Sequence, residues 1–168
     1  LTALNVAANT KLNALDCSNN KLSSLSLTKN TKLQRLNCSD NQLTGLSLTK
    51  CLKIRKLDCS GNQLTSLALG GLVGYDQLDE YGGILDCSNN RLSTLDLSKL
   101  KGSYESINCS NNQLTTLTFP TTTKIYIYDL DCSNNQLTAL KLSALSDVNY
   151  VYCSNNRLTT LTIPKNAY

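Results

Sequence analysis

Cysteine is the residue type with the widest possible chemistry in this sequence, because the chain holds eight cysteines and no histidine. Seven of them stand in one recurring phrase, first seen as LDCSNN at 15–20. These seven are Cys17, Cys38, Cys59, Cys87, Cys109, Cys132 and Cys153. Such a set could form disulfides, bind a metal or supply a thiolate nucleophile.

The cysteines mark a repeat of about 21 residues, since their spacings are 21, 21, 28, 22, 23 and 21. A leucine, isoleucine or valine precedes each cysteine by two positions, and a leucine follows it by five. An asparagine follows each cysteine by three: Asn20, Asn41, Asn62, Asn90, Asn112, Asn135 and Asn156. One unit reads LxxLxCSxNxLxxLxL, and self-similarity at this period predicts a solenoid.

The unit resembles the leucine-rich repeat LxxLxLxxNxL, with cysteine in place of the third leucine. The resemblance covers nearly the whole chain, and the cysteine and short period are similar to the repeats of bacterial internalin-type surface proteins. It implies a repeat solenoid that is mainly β and right-handed. A parallel β-sheet would form its concave face, and short strands or turns its convex face.

Side-chain alternation independently predicts the same sheet. The two apolar residues of LxC are two positions apart, so both face one side of a strand. Seven such strands, stacked about 4.8 Å apart, give a sheet about 29 Å long. The segment 22–30 has the same LxxLxLxxN skeleton as 12–20 and predicts an extended convex side. Residues 1–168 thus form a single domain of about seven full repeats plus a leading half repeat.

The strand geometry favours a column of buried free thiols. In-register parallel strands separate Cβ atoms by about 4.8 Å, whereas a disulfide needs about 3.8 Å. A disulfide ladder is the alternative. No metal site is predicted, because the chain has no CxxC pair and a linear column does not converge on one ion. Cys51, the eighth cysteine, lies off the column, in the position that Asn9 and Asn30 occupy, and is assigned no chemistry.

The asparagine column is interpreted as structural, with amides that bond backbone groups of neighbouring turns. Asn37 and Asn108 each begin an N-C-S match to the glycosylation pattern, but both lie in predicted packed strands and are discounted. No catalytic residues and no cofactor are predicted, because we find neither an activating partner for the thiols nor a paired-carboxylate site.

Two columns of side chains should point outward from the sheet. One is mostly aspartate or asparagine: Asp16, Asn37, Asp58, Asp86, Asn108, Asp131 and Tyr152. The other varies strongly: Ala14, Arg35, Lys56, Ile84, Ser106, Asp129 and Tyr150. The first is interpreted as a polar strand face, and variation in the second permits specificity.

The best candidate for a ligand-binding site is the tyrosine-rich end of the sheet. Tyr128, Tyr150 and Tyr152 should point outward from the last two strands, next to Asp129 and Asp131. Exposed tyrosines provide a large contact area at low entropic cost and are common in recognition surfaces. The alternative is that they cover the last strands or pack on a missing neighbour. Tyr104 instead takes a core leucine position.

The stretch 70–83, GGLVGYDQLDEYGG, lengthens one spacing to 28 and is interpreted as a surface insertion. Its acids, in a segment with Tyr75 and Tyr81, do not form a recognisable calcium loop. The chain starts and stops in mid-unit without obvious capping segments. We therefore expect it to be a fragment of a longer protein.

Charge and hydropathy limit the classes of partner that the sequence predicts. Residues 1–70 hold nine lysines and arginines against three acids, and residues 71–168 hold seven against nine. The basic residues are scattered among Ser, Thr and Asn, so no nucleic-acid partner is predicted. No apolar run reaches the length of a membrane helix, and residues 1–10 do not form a signal peptide.

The resemblance to internalin-type repeats, together with the exposed tyrosines, implies a non-catalytic protein-binding module of a bacterial protein, extracellular or at the cell surface, acting as an adhesin or interaction scaffold. A glycan-binding module is the alternative, since aromatic faces with Asp and Asn nearby also suit sugars. A third is a passive spacer or the substrate-recognition part of a larger protein. Fold alone does not decide among them, nor does it give the partner or the oligomeric state.

Overall fold

The computed structural model describes residues 1–70, 72–74 and 82–164. The described residues form a mainly β solenoid of seven turns, which confirms the predicted fold class. Seven parallel strands build one sheet along the concave face. In sheet order they are β1 (Ala14–Asp16), β2 (Arg35–Asn37), β4 (Lys56–Asp58), β6 (Gly83–Asp86), β8 (Ser103–Asn108), β10 (Tyr126–Asp131) and β12 (Asp147–Tyr152).

The convex side carries three parallel strand pairs, as the repeated LxxLxL skeleton predicts. They are β3 (Gly45–Ser47) with β5 (Ser66–Ala68), β7 (Thr94–Asp96) with β9 (Thr116–Thr118), and β11 (Ala139–Lys141) with β13 (Thr160–Thr162). Apolar side chains from both sides meet in one hydrophobic core, and from β2 to β10 the residue two positions before each phrase cysteine is almost fully buried.

Each turn leaves the concave sheet through a residue in the left-handed backbone region. The position two residues after the phrase cysteine has φ near 54° at Asn19, Asn89, Asn111, Asn134 and Asn155, and 51° at Asp40. Asparagine and aspartate tolerate this region better than other residues with a side chain, and glycine adopts it freely. Glycine takes the position once, at Gly61, with φ of 62°. The turn therefore explains why only Asn, Asp or Gly occurs there.

The three C-terminal strands of the sheet are six residues long and break the simple in–out alternation. In β8 and β10, two buried residues are separated by two outward ones, as with Ile127 and Leu130 in β10. This LxxL spacing places Tyr128 and Asp129 next to each other on the solvent side. β12 follows the same register, and Asn149 and Tyr150 are both exposed.

Candidate functional site

The C-terminal end of the concave sheet brings together the five residues predicted to bind a ligand. We call the surface formed by Tyr128, Asp129, Asp131, Tyr150 and Tyr152 the tyrosine sector. The residues Tyr128, Tyr150 and Tyr152 are 45%, 50% and 51% exposed, whereas most apolar residues that the structure describes are buried. Asp129 and Asp131 lie on the strand of Tyr128 and are partly buried.

Strand register fixes the arrangement of the tyrosine sector. β10 and β12 pair so that Asp129 lies opposite Tyr150 and Asp131 lies opposite Tyr152. Each carboxylate on one strand thus has a tyrosine as its direct neighbour on the next. Tyr128 joins them from the adjoining position, with its ring centroid 5.4 Å from that of Tyr150 and an interplanar angle of 74°. This edge-to-face contact holds the two exposed rings in a defined orientation.

The sector is acidic as well as aromatic. The strands β8, β10 and β12 contain Glu105, Asp129, Asp131 and Asp147 and no lysine or arginine. Burial, followed by the nearby charge of Asp131, raises the pKa of Asp129 above its usual value. Hydrogen bonding to Tyr150 is the main cause of a raised pKa at Tyr128. The surface therefore disfavours further negative charge and favours a cation.

The cysteine column lies inside the solenoid. All eight cysteines are free thiols; the six phrase cysteines from Cys17 to Cys132 are buried, and Cys153 is partly exposed. Burial raises the pKa of the Cys132 thiol to about 12, and raises those of Cys59, Cys87 and Cys109 well above the usual value. A buried thiol with a raised pKa is a poor nucleophile, so these residues act as small apolar core side chains.

The asparagine column joins successive turns, and Asn112 illustrates it. Its side-chain amide donates to the carbonyls of Cys87, Cys109 and Ser110 at 3.0, 3.2 and 3.1 Å, and its Oδ1 accepts the Leu92 N–H at 3.0 Å. Equivalent bonds recur at Asn41, Asn62, Asn90, Asn135 and Asn156. Each asparagine satisfies backbone groups that the turn would otherwise leave buried and unpaired.

Cys51 is the off-column cysteine and replaces a structural asparagine. Asn30 donates to the carbonyls of Val6 and Asn9, and the Cys51 thiol takes the same role one turn later, 3.5 Å from the Leu27 carbonyl and 3.7 Å from that of Asn30. The thiol is buried and its pKa is raised by that burial. The structure thus gives Cys51 a packing role.

The insertion is packed against the solenoid where the structure describes it. Val73 bridges to Lys101, and the Tyr104 hydroxyl donates to the Leu72 carbonyl at 2.8 Å. The Tyr104 ring lies over Gly83, where an added Cβ would come within 2.9 Å of two ring carbons. The segment 70–83 is therefore not purely a surface insertion, because Leu72 and Val73 near one end and Gly83 at the other contact the solenoid. Tyr75, Asp76, Asp79, Glu80 and Tyr81 lie outside the described residues.

The concave sheet also has an open depression at its N-terminal end that the sequence did not indicate as a site. Its volume is about 370 Å³, and its lining includes Ala14, Arg35, Lys56, Asp58 and Ile84. Its lining includes members of the variable outward column that differ in size, from the small Ala14 to the long Arg35 and Lys56. The variable outward column contained this signal, because its residue sizes change abruptly between neighbouring strands.

In the part of the chain that the structure describes, no helix is long and apolar enough to cross a membrane. Within residues 1–70, 72–74 and 82–164, no three or more Cys, Asp or Glu side chains gather as metal ligands.

Comparison with known proteins identifies the repeat class. The sequence profile described as "Leucine Rich repeats (2 copies)" matches residues 31–71. Residues 31–71 therefore match leucine-rich repeats, and the solenoid as a whole shares the leucine-rich repeat fold. The curated proteins searched contain no significant match to this sequence.

Solved structures share the fold at low sequence identity. The APL1 leucine-rich repeat domain is 21% identical, with a TM-score of 0.57, and the match covers 89% of this chain and 45% of that one. A Leptospira interrogans leucine-rich repeat protein is 19% identical, with a TM-score of 0.57 and coverages of 94% and 50%. The LRIM1/APL1C complex is 22% identical, with a TM-score of 0.55 and coverages of 88% and 31%. The chain thus spans half or less of the length of these three structures.

The internalin-type subfamily stays a prediction. The functional domain of InlJ from Listeria monocytogenes, which includes a cysteine ladder, is 22% identical, but its TM-score of 0.30 supports no argument from overall shape.

Proposed function

We propose that this solenoid is a non-catalytic protein-binding module that uses the tyrosine sector of its concave sheet. The observation that carries the proposal is the exposure of three tyrosine rings on a regular sheet face. A monomeric surface rarely groups large apolar side chains unless they contact something. Leucine-rich repeat domains are commonly protein-interaction modules, and one of the matched structures is a complex, LRIM1/APL1C.

We further propose that this protein is bacterial, and secreted or held at the cell surface. The support is the similarity of the repeat to internalin-type units and the match to a Leptospira interrogans protein. Free thiols buried in the core are compatible with an oxidising environment, because the neighbouring strands hold them apart and burial keeps them protonated.

The test is a pull-down from detergent extracts of host-cell surfaces. Wild-type protein is compared with Tyr128→Ala/Tyr150→Ala/Tyr152→Ala and with a control, Lys141→Ala, whose side chain is exposed on the convex strand β11. Since the three tyrosines are about half exposed, the triple variant should keep its thermal stability. We expect a captured protein to be lost from the triple variant and retained by the control.

The other outcomes separate the alternatives. A partner retained by the triple variant would place the site elsewhere on the solenoid, with the N-terminal depression as the next surface to mutate. Loss of capture after periodate treatment of the extract would indicate a glycan ligand instead. No specific capture from any extract would favour a passive spacer.

A further inference from the structure

The tyrosine sector contains the same pair of side chains twice. Asp129 lies opposite Tyr150, and two residues later Asp131 lies opposite Tyr152. Paired residues on neighbouring strands are about 4.8 Å apart, and residues two apart on one strand are separated by about 6.6 Å. The surface therefore presents two aspartate–tyrosine pairs in matching register, side by side along the strand direction.

Each pair suits a cation of a particular shape. A carboxylate accepts hydrogen bonds from a guanidinium group, and the face of a tyrosine ring attracts the same positive charge. Arginine meets both demands at once, because its planar group can stack on a ring while its N–H groups point to a neighbouring carboxylate. Lysine offers a compact charge without the stacking surface.

The strands themselves carry no positive charge that would neutralise the two aspartates. β8, β10 and β12 carry four acids and no lysine or arginine. The raised pKa of Asp129 agrees with this, since burial and the Asp131 carboxylate both oppose its ionisation. A bound cation would relieve this repulsion.

We propose that the tyrosine sector recognises an extended polypeptide segment that carries two arginines at alternate positions, one for each aspartate–tyrosine pair. The alternate spacing follows from the geometry, because residues i and i+2 of an extended segment are also about 6.6 Å apart and point the same way. This inference rests on the proposed protein-binding function and specifies the chemistry of its partner.

The probe is the blocked peptide Ac-Gly-Arg-Ser-Arg-Gly-NH2, titrated into the protein at low salt by calorimetry. The reference peptides replace one or both arginines by citrulline, which has nearly the same shape and no charge. The protein variants are Asp129→Asn, Asp131→Asn and the double variant. Asp96→Asn, on the exposed convex strand β7, is the matched control.

The Asp131→Asn substitution is expected to leave the fold intact. In the same column Asn37 and Asn108 accept the N–H of the serine two residues later, as Asp131 does from Ser133. The column therefore already uses asparagine for the same turn in two other repeats. Thermal melting of each variant checks this directly.

We expect each single substitution to weaken peptide binding about three- to fivefold and the double variant about tenfold. Asp96→Asn should bind as the wild type does, and raising the salt concentration should reduce the difference. In a double-mutant cycle, citrulline at one arginine should remove the effect of one aspartate and preserve the effect of the other. That non-additivity is the specific signature of two paired sites.

Three results would overturn the inference: a peptide that binds Asp129→Asn/Asp131→Asn as tightly as wild type, a citrulline peptide that binds as well as the arginine peptide, or no binding up to about 1 mM. The pull-down distinguishes this failure from failure of the proposed function. A partner lost from the tyrosine variant but retained by Asp129→Asn/Asp131→Asn would support protein binding and reject arginine recognition.

Discussion

Replacing Cys109 by alanine should cost less stability at pH 9.5 than at pH 7. The side chain is fully buried, and burial raises its thiol pKa well above the usual 9.0. The folded protein therefore keeps this proton in a pH range where the unfolded chain loses it, so the thiol's contribution to stability falls as the pH rises. With the usual thiol pKa of 9.0 in the unfolded chain, this loss is on the order of 1 kcal/mol at pH 9.5 and negligible at pH 7.

The alanine variant lacks this titrating thiol, so the unfolding free energies of the two proteins should approach each other as the pH rises. At neutral pH the substitution removes one buried sulfur and leaves a small cavity, which costs about 1–2 kcal/mol. At pH 9.5 the difference in unfolding free energy should shrink by about 1 kcal/mol. The other buried thiols lower the stability of both proteins alike, and their effect cancels in the difference.

The assay is urea unfolding followed by far-UV circular dichroism, under a phosphine reductant, at both pH values. Ile107→Val is the control, since it trims a fully buried and non-ionisable neighbour on β8 and should cost about 1 kcal/mol at either pH. A Cys109→Ala cost that does not change with pH would mean that this thiol titrates in the folded state as it does in the unfolded one. The assignment of the column to the dry core would then be refuted.

The remaining predictions address other parts of the scaffold. Asn112→Ala should lower the free energy of unfolding in urea by about 2–5 kcal/mol, because the buried Leu92 N–H and the carbonyls bonded to the amide lose their partner. A loss below about 1 kcal/mol would contradict the structural role of the asparagine column. Tyr104→Phe should lower stability by about 1–2 kcal/mol, through loss of the hydroxyl bond to the Leu72 carbonyl, and an unchanged melting temperature would show that this bond contributes nothing. Thiol titration without reductant should find eight thiols in the unfolded chain and a fastest reaction at partly exposed Cys153 in the native one, whereas fewer than eight would reveal disulfides.

The fold was predictable because every turn repeats the same pattern of apolar and polar residues. The LxC alternation gave the concave strands, and the repeated spacing fixed their register. The pairing of Leu15 with Leu36 and of Leu36 with Leu57 follows directly from a 21-residue step. The convex strand pairs were expected as extended chain, but their limits depend on hydrogen bonds that side-chain periodicity does not encode.

The sequence did not predict features that depend on contacts between irregular parts of neighbouring turns. The Tyr104 ring packs against Gly83 at a point where the pairing of β6 with β8 shifts register, between Gly83 and Ile84. The depression beside Arg35 depends on the heights of side chains on adjacent strands, which a single repeat does not specify. In the tyrosine sector the outward direction of the rings was expected, whereas the edge-to-face contact of Tyr128 with Tyr150 needed coordinates.

The asparagine bonds also give the solenoid a direction. Asn112 reaches back to Cys87 and Leu92 of the preceding turn, and no bond of its side chain reaches forward. Under tension, a turn removed from the C-terminal end takes its own asparagine with it and leaves the remaining asparagines paired. A turn removed from the N-terminal end instead leaves the next asparagine bonded only to the carbonyls of its own turn. A turn of 21 residues that unfolds releases about 70 Å of chain, so unfolding one turn at a time would lengthen the molecule in steps of that order.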